Sequence, residues 1–409
     1  MNQQLNSSAS KLSNQQYVDL ENTYAARNYH PLDVVLERGE GIWVYDVEGN
    51  KYLDCLSAYS AVNQGHCHPR LVKTAKEQIE KLTLTSRAFR NNQLSLFCKE
   101  ICELTKYEMV LPMNSGAEAV ETAIKAARKW GYTKKGIAEN EAEIIVFTGN
   151  FHGRTTTIIS FSSEEDYKTH FGPFTPGFVL AEYGNIEAAK QAISDKTAAI
   201  LIEPIQGEAG IIMPPQGYLQ ELQALCKENN ILFMADEIQT GLGRTGRLFA
   251  SDYEDIKPDV IIVGKALSGG FYPVSAMLSN SEVLGVFEPG QHGSTFGGNP
   301  LGMAVAREAL KILVEENLIE NAYENGKYFR EKLVAMNSRF VKEVRGRGLL
   351  IGVELNEEAK SARPFCEKLQ ELGILCKETH YNIIRFAPPL IIKKEEIDAA
   401  VEKIAAVLA

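Results

Sequence analysis

Residues 231–241, ILFMADEIQTG, and 259–267, DVIIVGKAL, decide the fold of this chain. Ile231 to Ala235 and Val260 to Val263 are short, continuous apolar runs. Such runs read as strands buried on both faces, as in a parallel sheet. Each leads to a charged group: Asp236 closes the first, and Lys265 stands just beyond the second. Ligands of open α/β sheets sit outside the carboxyl ends of the strands, so both groups should face one crevice.

A carboxylate and a lysine held together in that way suit one cofactor, pyridoxal 5'-phosphate. The amine condenses with its aldehyde, and the carboxylate keeps a proton on the ring nitrogen so that the ring can accept electrons. A strand-end Asp is as often a helix N-cap, so Asp236 carries little by itself. Lys265 carries more. It lies between VIIVG and ALSGG, and lysine seldom occupies so apolar a setting unless its amine is paired or its pKa lowered.

Outward from these runs the pattern alternates. Strands are expected at Met109–Met113, Ile144–Phe147, Ala198–Ile202 and Val274–Leu278, and helices at Gly116–Trp130 and Gln216–Lys227. Strands alternating with helices imply right-handed crossovers and a mostly parallel sheet with helices on both faces. Upstream, two β-rich runs flank Glu48-Gly49-Asn50 as a hairpin, and Pro69–Leu82 and Gln93–Leu104 have helical spacing. After Gly297-Gly298-Asn299-Pro300 the texture changes. Helices are expected over Leu301–Glu315 and Ile319–Met336, then two strands, Leu349–Leu355 and Ile383–Phe386, with a helix between them, and a closing helix over Glu395–Leu408. The expected division is an N-terminal segment with the hairpin over 1–55, a large α/β domain over 56–309, and a smaller α+β domain over 310–409 with which the hairpin packs.

Composition narrows the partners. The chain has 409 residues, 44% of them apolar and 23% charged, as in an ordinary globular protein. A net charge of −10 argues against nucleic acid as the main partner. No run approaches the roughly 18 apolar residues of a membrane span. The first sixteen residues, MNQQLNSSASKLSNQQ, have no arginine and no apolar core. They resemble neither a secretory signal nor an Arg-rich transit peptide, and a frayed cytoplasmic N-terminus is expected. Seven scattered cysteines suggest a reducing compartment rather than a disulfide framework.

Asn114-Ser115-Gly116-Ala117, between a strand and a helix, can hold a phosphate on free N–H groups, although an ordinary Ser N-cap is the plainer explanation of this segment taken alone. In Asn150-Phe151-His152-Gly153-Arg154, Phe151 can lie against a pyridine ring and Arg154 can grip a carboxylate; a surface loop with a core Phe is the plainer alternative. Gln239 can reach a phenolic oxygen. Gly241-Leu242-Gly243-Arg244-Thr245-Gly246 matches a dinucleotide pattern in letters but not in context, and is expected to be a loop. His66-Cys67-His68 lacks a second ligand pair and reads as a turn before Pro69, and Cys98 and Cys102 read as core. No metal is expected.

Taken jointly, NYHPLDVVLERGEGIWVYDVEGNKYLD, SAYSAVNQGHCHP, NSGAEAVETAIKAARKW, FHGRT, EPIQGEAGI, ADEIQTGLGRTG, GKALSGG, HGSTFGGNP and IIRFAPPLII resemble the class III pyridoxal-phosphate aminotransferases over nearly the whole chain. The resemblance implies fold type I, the aspartate aminotransferase fold. It makes Lys265 the residue that binds the cofactor's aldehyde and shuttles the proton, and Asp236 the partner of the ring nitrogen. Gln239 neighbours the phenolic oxygen and Phe151 stacks on the ring. Ser115, Gly116 and Ala117 line the phosphate site, and Ile238 and Ser294 belong to the same cofactor set. Thr295 reaches the phosphate of a partner subunit's cofactor, which implies a homodimer with shared active sites.

Within the family the similarity is greatest to the members that use ornithine. On that basis Tyr29 and Tyr59 contact L-ornithine, Arg154 holds the distal carboxylate of 2-oxoglutarate, and Arg385 holds its α-carboxylate. Glu208 pairs with Arg385 while ornithine is bound and swings aside for the keto acid. One site then takes a diamine and a dicarboxylate in turn without burying an unpaired charge. The expected reaction is ping-pong transfer of the terminal amino group of L-ornithine to 2-oxoglutarate, giving glutamate 5-semialdehyde and glutamate. The alternatives are acetylornithine or 4-aminobutyrate as amino donor, a nicotinamide-dependent semialdehyde dehydrogenase suggested by the glycine loop, and a binding module that has lost catalysis.

Overall fold

The computed structural model describes residues 12–408. Most of the polar N-terminal stretch therefore lies outside the described residues. Its end does not fray: Asn14–Tyr24 is a helix, with Ser13 and Gln16 forming a capping box. That reciprocal pair satisfies two free amides and is a local start signal that composition alone hides.

A seven-stranded sheet forms the centre. Its order is Met109–Met113, Ser275–Ser279, Val260–Val263, Leu232–Asp236, Thr197–Ile202, Glu143–Phe147, Phe178–Ala181. The last five pair in parallel, whereas Ser275–Ser279 runs antiparallel to both neighbours. Every residue of Thr197–Ile202, Leu232–Asp236 and Val260–Val263 is buried, as expected for strands covered on both faces.

The two-residue period divides the core. Ile144, Val146, Leu201, Met234 and Ile262 pack with Ala119, Val120, Ala123 and Ile124 of helix Gly116–Trp130. Ile145, Phe147, Ile200 and Phe233 face the other way, onto Leu219, Leu222 and Cys226 of helix Tyr218–Glu228. Each fully buried aliphatic side chain contributes about 1.5–3 kcal/mol. The edge strand Phe178–Ala181 escapes the periodicity because it is short and only partly buried.

Two four-stranded sheets flank this body. Leu36–Glu40, Trp43–Asp46 and Lys51–Asp54 form a meander whose last strand pairs in parallel with Ile374–Leu375. Val341–Arg347, Leu350–Leu355, Ile383–Phe386 and Lys377–Thr379 form an antiparallel sheet under helix Leu318–Ala335, which packs in turn against helix Lys394–Leu408. No helix among the described residues is long and apolar enough to cross a membrane.

The glycine loop at 241–246 is a series of turns, and its arginine is wholly buried. Arg244 donates through Nη1 to the carbonyls of Leu349 (3.0 Å) and Pro388 (2.6 Å) and through Nη2 to Asn63 Oδ1 (2.6 Å). A Cβ on Gly246, whose φ is +85°, would lie 2.7 Å from the Cα of Tyr323. The glycines permit close packing of helix Leu318–Ala335, which explains the dinucleotide-like letters without a dinucleotide.

Candidate active site

The carboxyl ends of the parallel strands bring the two groups of interest together. In the sheet Asp236 is opposite Ile262, and the chain carries Lys265 just past that strand. Lys265 and Asp236 line one cavity of about 190 Å³ with Gly116, Ala117, Phe151, Ile238 and Gln239, all singled out from sequence. A wider groove of about 600 Å³ opens around Ile231 and Leu232, at the opposite ends of the strands; α/β sheets place their chemistry at the carboxyl ends.

Lys265 adopts φ +41°, a left-handed conformation that strains a side chain and is characteristic of functional positions. Burial lowers the pKa of its amine, and nearby Arg385 adds to the effect against the opposing pull of Glu208 and Asp236. The amine is thereby biased toward the neutral, nucleophilic form. Asp236 is buried; its Oδ2 lies 2.7 Å from His152 Nδ1, and its Oδ1 accepts from the amide of Ile238 at 3.0 Å. Burial lowers the pKa of His152, but its hydrogen bond and charge interaction with Asp236 outweigh this and raise it.

His152 and Glu203 are cavity residues that sequence reasoning missed. Burial raises Glu203 to about 7, and its Oε2 accepts from the amide of Phe151 at 2.9 Å. Their signals were present in FHGRT and EPIQGEAGI, since His152 sits between two chosen residues. Only packing distinguishes a buried imidazole from a loop histidine.

A second cluster abuts the first. Arg385, 1% exposed, donates from Nη1 to Glu208 Oε1 at 2.9 Å and from Nη2 to the carbonyl of Gly207 at 3.0 Å. Gln239 Nε2 donates to the same Glu208 oxygen at 3.1 Å and so links the clusters. Burial alone would raise the pKa of Glu208, but Arg385 brings it down to about 2. A Cβ on Gly207 would fall 1.6 Å from Gln239 Oε1, so only glycine allows this approach. Gln239 Oε1, His152 Nε2 and Arg385 Nε are buried with no hydrogen-bond partner among the described residues.

Tyr59 lies beside Arg385, whose guanidinium carbon is 5.4 Å from the ring centre. It belongs to a left-handed turn in which Ser57, Ala58, Tyr59 and Ser60 all have positive φ. Non-glycine residues bear about 1–2 kcal/mol each in that conformation, so the turn must be held from outside. Asp54 Oδ1 accepts from the amides of Leu56 (2.9 Å) and Ser57 (2.8 Å), while Oδ2 lies 2.7 Å from His66 Nε2. The His-Cys-His stretch is thus a turn, and its first imidazole supports the strained segment. Tyr29 and Tyr59 share an apolar cavity of about 300 Å³ with Leu56 and Leu375.

Other expected residues lie outside the first cavity. Ser115 caps helix Gly116–Trp130 in a box with Glu118, the plainer of its two readings. Ser294 Oγ accepts from Asn114 Nδ2 at 2.8 Å, and Thr295 is exposed on the same loop. Arg154 stacks on aromatic rings, 3.7 Å from the centre of Tyr167 and 5.5 Å from that of Phe151.

The model of the family "Aminotransferase class-III" matches residues 24–408. The chain belongs to the class III aminotransferases.

Among its relatives in this family, the ornithine aminotransferase of Brevibacillus brevis is 60% identical over 385 residues, 94% of this chain and 96% of that protein. The ornithine aminotransferase of Bacillus subtilis is 59% identical over 391 residues, covering 96% and 97%. A solved structure of the Toxoplasma gondii ornithine aminotransferase, with partial occupancy of pyridoxal phosphate at its active site, superposes with a TM-score of 0.95. It is 44% identical and covers 97% of this chain and 94% of its own. The acetylornithine aminotransferase of Elizabethkingia anophelis superposes at 0.88 with 48% identity, covering 97% and 98%. The α/β architecture with its mostly parallel sheet is therefore fold type I, as in these class III relatives.

Proposed function

We propose that this class III aminotransferase moves the terminal amino group of L-ornithine to 2-oxoglutarate, with pyridoxal 5'-phosphate as cofactor, by a ping-pong mechanism. The observation that carries the reading is the Glu208–Arg385 pair, 2.9 Å apart and joined through Gln239 to the cavity of Lys265 and Asp236. A buried arginine masked by a movable carboxylate suits a site that must accept a diamine first and a dicarboxylate next.

The cavity fits the cofactor. Gly116 leaves it open where a Cβ would stand 3.0 Å from Ile238 Cδ1, Phe151 offers a ring, and Gln239 Oε1 has no partner among the described residues. When bound, pyridoxal phosphate supplies an aldehyde and a ring that takes up electrons. Asp236, oriented by His152, holds a proton at the ring nitrogen, and Lys265 moves the substrate proton through Nζ. Gly116, Ala117 and Ser115 would lie along the phosphate, with Ile238 and Ser294 beside them. Tyr29 and Tyr59 would contact ornithine, whereas Arg154 and Arg385 would take the two carboxylates of 2-oxoglutarate.

The same reading makes the protein a cytoplasmic homodimer in which Thr295 reaches the partner subunit's cofactor. Exposed Phe89 and Phe296 lie on segments joined by the hydrogen bond from Asn91 Nδ2 to the carbonyl of Gly298 at 3.1 Å, and neighbouring exposed rings support a covered face. It also keeps a segment over 1–55, a large domain over 56–309 and a small one over 310–409, so that Glu208 and Arg385 meet from two sides.

The likeness to an acetylornithine aminotransferase at 48% identity favours a second reading, with acetylornithine as donor. Turnover of ornithine, acetylornithine and 4-aminobutyrate by the parent and by Tyr59→Ile separates them. The proposal requires ornithine to be the best donor and to suffer the greatest loss in the variant. Equal losses on all three donors would overturn it.

A further inference from the structure

Arg154 is exposed beside the cavity, and among the described residues its contacts are with rings. Gly153, at φ +131°, packs against Ala117 and Ile158 and turns the chain so that the guanidinium lies over Tyr167. Tyr167 stands on the one-turn helix Glu165–Lys168 and also meets Phe151 edge-on, with ring centres 6.0 Å apart and planes at 79°. One half-buried ring thus touches both the residue read as stacking on the cofactor and the residue read as gripping the keto acid.

A guanidinium held at 3.7 Å over an aromatic face is drawn to the negative charge of that face, yet its N–H edges stay free for a carboxylate. A long arginine at an exposed site otherwise samples many rotamers, and a ligand must freeze them on binding. We infer that Tyr167 is a specificity-determining positioning residue, which pre-orders Arg154 for the distal carboxylate of the keto-acid substrate and has no part in binding the diamine. The inference rests on the reading of Arg154 given above.

The test uses the cofactor-loaded enzyme and glutarate, a dicarboxylate with no keto group to react, whose equilibrium binding is measured by calorimetry. Tyr167→Phe, which keeps the ring and loses only the hydroxyl that also interacts with Arg154, should weaken glutarate binding less than loss of the ring does. Tyr167→Leu, which keeps bulk but loses the ring, should bind it about three- to thirty-fold more weakly. The same variant should raise KM for 2-oxoglutarate with kcat nearly unchanged, and the half-reaction with ornithine alone should keep its rate. If Leu prevents accumulation of the protein, Tyr167→Gln answers the same question. Arg154→Gln separates the two ideas. If it loses glutarate while Tyr167→Leu binds within two-fold of the parent, the inference falls and the reading of Arg154 stands. If Arg154→Gln itself retains glutarate, the reading of Arg154 falls. An equal loss in both half-reactions of Tyr167→Leu would mark a merely structural residue and overturn the inference.

Discussion

At the scale of single residues, the cavity separates its acids by environment. Glu203 is raised to about 7 by burial, above the ordinary carboxyl value of 4.5. The folded protein therefore holds a proton that the unfolded chain releases. The resulting stability is complete below about pH 4.5 and is lost as pH rises through about 7. Glu203→Gln should flatten that part of a stability-against-pH curve measured by urea unfolding, and a slope equal to that of the parent would contradict the assignment. Lys265→Ala should abolish turnover and the visible absorbance that added pyridoxal phosphate produces in the parent. A variant that keeps both would remove the basis of the proposed chemistry.

Elements carry a different kind of constraint. The Glu208–Arg385 pair, its arginine buried and its carboxylate half-buried, joins the loop after Thr197–Ile202 to strand Ile383–Phe386. Because Arg385 holds Glu208 down at about 2, the pair's contribution is fully present above about pH 4.5 and disappears as pH falls toward about 2. Glu208→Gln leaves a buried cation without its carboxylate, at a cost of about 3–5 kcal/mol at neutral pH. Its acid-unfolding profile should also lose the dependence below about 4.5. The glycine loop makes a plainer demand. Gly246→Ala places a methyl group against the backbone of Tyr323 in a left-handed conformation, so it should lower stability by about 1–3 kcal/mol. Thermal unfolding checks this, and an unchanged Tm would mean that helix Leu318–Ala335 can move aside.

For the whole molecule, the reading requires two copies. Sedimentation at micromolar concentration should give a dimer near twice 45.3 kDa. A fully active monomer would remove the role proposed for Thr295.

How much of this could be read from the chain alone differs by residue. The strands Met109–Met113, Val260–Val263 and Ile383–Phe386 and the helix Gly116–Trp130 end where their periodicity predicts. Strand Val341–Arg347, VKEVRGR, is too charged and too open to betray itself, because its partner across the sheet provides the burial. Lys265 was legible because an ammonium is costly among apolar neighbours. His152 and Glu203 were not, because their significance lies in what surrounds them.

The amino-acid sequence determined the order of strands and helices, the sites where charge meets an apolar run, and the family. These follow from local periodicity and from residue types whose burial is costly. The tertiary structure alone decided that Asp54 and His66 brace a left-handed turn, that Arg244 is a buried clasp and that His152 supports Asp236. All but the Asp54–His66 brace are contacts between segments distant in the chain, and a hydrogen bond or ion pair acquires its energy only once folding has removed the water between its partners.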